Sequence, residues 1–198
     1  MYTVIGTIAS RAMRVVWMLE ELEQPYDLIP AAPRSPEIMA HHPDGKVPAL
    51  LVEDRVLLDS VAITQFLADR HGALTYPAGS IERARQDSIT QFCVDEVEGA
   101  LWTAAKNSFV HPSEHRTPAV KETCRYEFAL AMQRLERRLG EGPFVMGETM
   151  TVPDILLGHC AGWARVAKFE IPDGPVRDYM RRLVKRPAFQ RADALREG

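Results

Sequence analysis

The sequence predicts an α/β domain with element order β-α-β-α-β-β-α, followed by an all-α domain. Two observations of pattern predict it. Short β-branched and apolar runs alternate with helix-period segments across residues 1–76, and no strand pattern recurs beyond the turn Tyr76-Pro77-Ala78-Gly79. The third observation is size: 198 residues make one or two compact domains and bury a sizeable core without disulfide or metal staples.

Residues 2–6 form a β-branched run that reads as the first strand. Ser10, an acceptable N-cap, then opens a helix with a broad apolar face (Met13, Val16, Trp17, flanked by Val15, Leu19 and Leu22) that stops before Gln24-Pro25. Residues 26–29 make the second strand, and after Pro30, Pro33 and Pro36 a short helix or turn reaches Ala40. Residues 48–52 and 56–58 read as a hairpin turning at Glu53-Asp54-Arg55. Asp59 and Ser60 precede a helix with Ala62, Ile63, Phe66, Leu67 and Arg70 at helical spacing, stopped by Gly72. This order predicts a mixed sheet covered by helices. Beyond it, amphipathic stretches near 81–108, 118–139, 152–168 and 175–184, with a short last helix from Pro187, predict a helical domain. The expected division is residues 1–76, a linker at 77–82, and a helical domain over 83–198.

Composition narrows the function classes. With 46% hydrophobic and 26% charged residues and a formal net charge of −3, the chain is neither low-complexity nor collagen-like, and its mild acidity argues against a nucleic-acid surface. The longest run of apolar side chains, residues 47–52, falls far short of the ~18 residues a spanning helix needs, so no membrane association is expected. The opening MYTVIGTIASRAMR has a short apolar part with its arginines after it, which is not the pattern of a signal peptide. There is no GxGxxG, phosphate loop, GxSxG or HExxH. Adjacent His41 and His42 do not normally converge on one ion, so neither metal nor organic cofactor is expected.

Three local constellations carry chemistry. In TIASRAMR, residues 7–14, a hydroxyl sits at a strand-to-helix connection, where free N–H groups and the helix dipole favour an anion; Ser10 either donates to that anion or merely caps the helix. In HPDGKVPAL, residues 42–50, a proline entering a strand exposes the preceding peptide for pairing with an extended ligand, or simply makes a turn. In LDSVAI, residues 58–63, Asp59 and Ser60 offer a carboxylate to an ammonium and a helix start to a carboxylate, or serve only as a cap.

Taken together and in this order, SRAMRVVWMLEEL with Pro25-Tyr26, HPDGKVPALLVED, LLDSVAITQFLADRHG, the stretch Met150-Thr151-Val152-Pro153-Asp154-Ile155 and the terminal Arg186-Pro187-Ala188-Phe189 resemble the glutathione S-transferases across essentially the whole chain. The resemblance implies a thioredoxin-like N-terminal domain followed by an α-helical C-terminal domain. It implies that Asp59-Ser60 holds the γ-glutamyl end of glutathione, that the Val47 backbone pairs with the cysteinyl part, that Pro48 is the family's cis-proline, and that Lys46 reaches the glycyl carboxylate. His42 stands where the family often has Asn and adjoins the glycyl end. Ser10 matches the serine of the theta-like and zeta-like classes, with Thr7 as the alternative and Tyr2 placed too early. Asp95 matches an acid that reaches across a homodimer to the partner's glutathione. Phe92, Trp102 and Phe109 are candidates for the apolar site of a small hydrophobic electrophile, against the alternative that they pack in the core. Thr151 and Asp154 have capping-box spacing and belong to folding. A cytoplasmic homodimer is the implied form.

The implied reaction adds the glutathione thiolate to an electrophile. A thiol of pKa about 8.5 is barely ionised at neutral pH, and lowering it by ~2 units takes about 2.7 kcal/mol. A hydrogen bond to a charged group contributes about 1.5–3 kcal/mol and a helix terminus about 0.3–1 kcal/mol, so no general base is required. Peroxide reduction or isomerisation in the same site is the enzymatic alternative, although the Ser-Ser-Cys run of zeta-like isomerases is absent. A non-catalytic binding protein of the same fold is the other, opposed by the retention of Lys46, Pro48, Asp59 and Ser60. The three cysteines, Cys93, Cys124 and Cys160, all follow the first 92 residues. A first domain without cysteine excludes an enzyme-thiolate mixed disulfide there and disfavours the omega-like and beta-like classes, so the reactive sulfur must belong to glutathione.

Overall fold

The computed structural model describes residues 1–197. Its first part runs β1 (Tyr2–Ile5), α1 (Ala12–Glu21), β2 (Tyr26–Ile29), α2 (Pro36–Met39), β3 (Ala49–Val52), β4 (Arg55–Leu58) and α3 (Ser60–His71). The strands lie in the order β2-β1-β3-β4, with β1 and β2 parallel and the other two pairings antiparallel. The predicted mixed sheet is thus formed. The β3–β4 turn is tighter than expected: Arg55 joins the strand opposite Val52, and only Glu53 and Asp54 lie between the strands.

The period-2 alternation of the strands divides their side chains between two faces. Ile5 and Ala49 lie on one, in a buried cluster with Ala31 and Ile38 of α2. Val4 and Leu50, fully buried, lie on the other, where α1 packs against β1 and α3 against β4. α1 is buried on most of its circumference, since it also packs against α3 and a later helix. At the far end of α3, Gly72 takes φ +63°, a left-handed C-cap that costs glycine little.

The rest is helical: α4 (Ile81–Phe92), α5 (Gly99–Ala105), α6 (Val120–Arg138), α7 (Val152–Ala167), α8 (Pro175–Val184) and α9 (Pro187–Ala194). The single helix expected over 81–108 is interrupted by a wider π-helical turn at Cys93–Glu98 and ends in another at Lys106–Val110. None of the described helices is long and apolar enough to cross a membrane.

The chain forms two compact units: Met1–Pro77 together with the segment from Val184 onward, and Ala78–Leu183. The division expected from sequence kept residues 83–198 together; in the structure α9 packs on α1 of the sheet unit. The reason lies on the partly polar edge of α1. Phe189 meets fully buried Trp17 edge-on, with ring centroids 4.9 Å apart. Arg186 forms a two-pronged ion pair with Glu21 at 2.6 and 2.7 Å, and Arg191 pairs with Glu20, which also accepts from the Tyr26 hydroxyl.

Within the second unit the polar centre is Asp154, at the start of α7. Its carboxylate is fully buried and accepts four hydrogen bonds, from the N–H groups of Val145 and Thr151 and the hydroxyls of Thr151 and Tyr179, at 2.7–3.1 Å. The capping box expected from sequence is present, and its acid also fastens the preceding loop and α8. Burial pushes the Asp154 carboxyl above its ordinary range, and these donors pull it back.

Two stability outcomes follow. Asp154→Ala leaves the Val145 and Thr151 N–H groups and the Tyr179 hydroxyl buried without their acceptor, at ~1–3 kcal/mol each, and is expected to cost at least about 3 kcal/mol in urea unfolding. Arg186→Ala deprives a Glu21 side chain that is 7% exposed of its guanidinium partner, leaving the Trp17 Nε1–H donating to it at 2.9 Å, and is expected to cost about 2 kcal/mol.

Candidate functional site

The register of the sheet decides which loops meet. Ile5 of β1 lies opposite Ala49 of β3, and Ala49 lies opposite Leu58 of β4. One row across three strands therefore ends at the same edge, and the chain leaves it at Gly6-Thr7, Val47-Pro48 and Asp59-Ser60. Neighbouring strands are ~4.8 Å apart, so these three exits fall within about 10 Å of one another. Gly6 makes the approach possible: at φ +149°, a Cβ there would stand 2.8 Å from that of Ala12 and 3.3 Å from that of Val47.

Ser10 and Thr7 occupy the first exit. The Ser10 hydroxyl donates to the Thr7 carbonyl at 2.7 Å and accepts from the Ala12 N–H at 3.1 Å, so α1 begins at Ala12, slightly later than expected, with Ser10 closing the turn before it. The half-buried Thr7 side chain takes no hydrogen bond among the described residues. Tyr2 lies at the other end of β1, its hydroxyl 2.8 Å from His71 Nε2.

The second exit is a tightly hydrogen-bonded loop. The His41 and His42 N–H groups donate to the Ile38 carbonyl, the Gly45 N–H to that of His42, and the Arg34 N–H to that of Gly45. His42 is buried, and its Nδ1 accepts from the Asp44 N–H at 3.1 Å, so this nitrogen carries no proton and holds the loop. Lys46 beyond it is exposed, Val47 half-buried and Pro48 buried, and the Val47-Pro48 peptide is cis.

At the third exit Asp59 takes φ +69°, a left-handed conformation uncommon outside glycine. Its Oδ1 accepts from the N–H groups of Val61 (2.9 Å) and Ala62 (3.2 Å), capping α3. Oδ2 is left to accept from elsewhere on this exposed side chain, and the Ser60 N–H and hydroxyl are what this helix start offers an anion. Beneath it lies a residue to which the sequence pattern assigned no role. Arg14 is fully buried on α1, and its Nη1 donates to Ser60 Oγ at 3.3 Å. The available signal was a charge at position 14 amid the apolar residues of that helix.

The remaining candidates lie in the helical unit, in different settings. Phe92 is buried with the Arg138 guanidinium 4.2 Å over its ring, half-buried Trp102 meets Trp163 edge-on, and Phe109 is 68% exposed. Asp95 is exposed on the first π-helical turn, beside Phe92, Glu96 and Arg138 in an open groove of about 550 Å³. Among the described residues, no three His, Cys, Asp or Glu side chains cluster as a metal site requires.

Residues 10–70 match the family model described as Glutathione S-transferase, N-terminal domain. The chain is 28% identical over 160 residues to the Escherichia coli O157:H7 protein "Glutathione S-transferase GstA", covering 79% of this chain and 76% of that one. A glutathione transferase structure from Methylococcus capsulatus superposes with a TM-score of 0.85 at 25% identity, over 98% of both chains. The theta class glutathione S-transferase of Xanthomonas axonopodis pv. citri, solved with glutathione bound, superposes with a TM-score of 0.78 at 25% identity, over 96% of both.

The left-handed cap gives a direct check of the Asp59 geometry. Asp59→Ala loses the cap and keeps the strained backbone, and is expected to cost about 1–2 kcal/mol. Asp59→Gly loses the same cap but relaxes the backbone, and is expected to stay within about 1 kcal/mol of the parent in thermal unfolding.

Proposed function

The chain belongs to the glutathione S-transferase family, and from that premise we propose that it binds glutathione along the three exits, ionises its thiol, and adds the thiolate to a small hydrophobic electrophile. The observation that carries this reading is the convergence of Ser10 and Thr7, Val47-Pro48, and Asp59-Ser60 beyond one row of the sheet. Asp59 Oδ2 would accept from the γ-glutamyl ammonium and the start of α3 would receive the adjoining carboxylate. The Val47 peptide would pair with the cysteinyl part, and Lys46 would meet the glycyl carboxylate. His42 serves that end by holding the loop, since its Nδ1 is already engaged.

In the reaction the thiol proton leaves to solvent, the sulfur forms a bond to an electrophilic carbon, and the leaving group departs with its electron pair. Ser10 stabilises the thiolate by turning its hydroxyl hydrogen away from the Thr7 carbonyl. This exchanges a neutral hydrogen bond of about 0.5–1.5 kcal/mol for a charged one of about 1.5–3 kcal/mol. With about 0.3–1 kcal/mol from the start of α1, the net ~1.5–2.5 kcal/mol lowers the thiol pKa by about 1–2 units, from about 8.5 to near 7. Thr7 has no such bond to give up, which makes it the competing donor. The same reading includes a cytoplasmic homodimer in which Asp95 reaches the partner's glutathione, and an electrophile site that draws on Phe92, Trp102 and Phe109. No resident cofactor takes part.

The test pairs the two hydroxyls. Ser10→Ala is expected to raise the pKa of bound glutathione by about 1 unit in thiolate difference absorbance and to lower kcat/KM toward an aryl halide about tenfold, with Thr7→Val within about twofold of the parent. The reverse pattern transfers the role to Thr7. Absence of glutathione binding at millimolar concentration removes the transferase reading altogether.

A further inference from the structure

We infer that Arg116 is a positioning residue for the electrophile site, acting through Phe109. The inference deepens the proposed function and rests on its assignment of Phe109 to that site. The observation behind it, within the helical unit, is the way the helical segment that begins with α4 ends. Its last turn, Lys106–Val110, is π-helical and is closed by the His111 N–H donating to the Lys106 carbonyl at 3.0 Å. Such wide turns occur frequently at functional sites. This one leaves Phe109 68% and Val110 45% exposed.

Side chains from both ends of the following loop hold that turn in place. Asn107 Nδ2 donates to the Thr103 carbonyl at 3.0 Å, and the Ser108 hydroxyl to the Ala104 carbonyl at 2.7 Å. From the far end of the loop the Thr117 N–H donates to Asn107 Oδ1 at 3.0 Å. Arg116 Nε donates to the His111 carbonyl at 2.7 Å, and its Nη2 to the Phe109 carbonyl at 3.1 Å. Among the described residues no carboxylate pairs with Arg116, so its charge is directed at main-chain oxygens. A guanidinium is a rigid planar fork, and these two bonds therefore lock the peptide planes after Phe109 and after His111 to one another. The peptide leaving Phe109 is thereby fixed, and with it the direction in which the Phe109 Cβ projects.

One exposed phenylalanine is ordinary on a protein surface. A phenylalanine held outward by a bridged loop is not explained by stability, because burying the ring would itself be favourable. The occupant follows from size. Phe109 and Val110 together expose on the order of 200 Å², whereas each side of a stable protein–protein interface takes about 800 Å². Apart from Pro112, the exposed residues around them on the loop are polar or charged: Ser108, Ser113, Glu114 and His115. The patch matches the apolar face of one small molecule and not a second chain.

The experiment uses the full chain, glutathione, and benzyl chloride with its para-ethyl and para-butyl derivatives, which share a reacting carbon and a leaving group while the apolar tail grows. Values of kcat and KM are measured for the parent, Arg116→Gln, Arg116→Lys, Asn107→Ala, Phe109→Ala and the Arg116→Gln/Phe109→Ala double variant. Arg116→Gln is expected to raise KM for the para-butyl compound about fivefold, but for benzyl chloride no more than about twofold. Glutathione affinity and the pKa of the bound thiol should not move. Arg116→Lys, a single point donor in place of a fork, should recover part of the loss. Asn107→Ala, which frees the other attachment of the loop, should follow the pattern of Arg116→Gln, and Arg116→Gln should cost little further once Phe109 is already alanine. Equal losses for the three electrophiles, weakened glutathione, or additive losses in the double variant overturn the inference, because a purely structural role weakens all of them alike. A shift of Phe109→Ala toward a smaller species in sedimentation velocity also overturns it, by assigning the patch to a second copy of the chain. If Arg116→Gln does not fold by circular dichroism, Arg116→Lys and Asn107→Ala carry the same comparison, and losses independent of the tail again overturn it. Failure of the parent to bind glutathione and conjugate any of the three removes the transferase reading and this inference together, whereas parental conjugation with no dependence on the tail in the Arg116 variants removes this inference alone.

Discussion

The sheet unit depends on one constraint, the row that places Ile5, Ala49 and Leu58 side by side across β1, β3 and β4. A one-residue slip of β3 would exchange its faces, pushing Ala49 out of the cluster with Ile5 and Ile38 and bringing Leu50 into it. It would also draw Val47-Pro48 out of line with Gly6 and Asp59. Core packing and site geometry are thus set by the same register, and the cost of exposing apolar side chains holds three loops of unrelated sequence at one edge.

Two aspartates begin helices here and show how one residue type divides between structure and chemistry. Asp154 is fully buried with both oxygens engaged by four donors, so nothing remains to offer a ligand. Asp59 is exposed and caps its helix with Oδ1 alone. The second oxygen, together with a left-handed backbone that turns the chain sharply into α3, is what makes it fit for binding. The two sites are separated by the number of donors around each acid.

Much of this was legible in the residues because it is local. Strand 26–29, the stop at Gly72 and the Thr151–Asp154 capping box each follow from a few neighbouring side chains, and the structure places them as expected. What was not legible is long-range or depends on a rotamer. The bond from Arg186 to Glu21 spans 165 residues, and nothing near Pro187 shows which surface α9 covers. The two π-helical turns insert wider steps into a pattern that reads as continuous helix, with Asp95 on the first. Arg14 was visible as a charge on an apolar helix, but its bond to Ser60 depends on α1 packing against α3. That Ser10 spends its hydroxyl hydrogen on Thr7 is a torsional choice that no spacing reveals.

The position of α9 has a consequence for the order of assembly during synthesis. The ribosome releases residues 78–183 before it releases Phe189, Arg186 and Arg191, which cover Trp17, Glu21 and Glu20. The helical unit therefore has its whole sequence available first, while the sheet unit, though begun earlier, waits with one edge of α1 uncovered. The first unit to be begun is therefore the later to receive its last packing element, and until α9 docks Trp17 lacks the edge-on contact with Phe189.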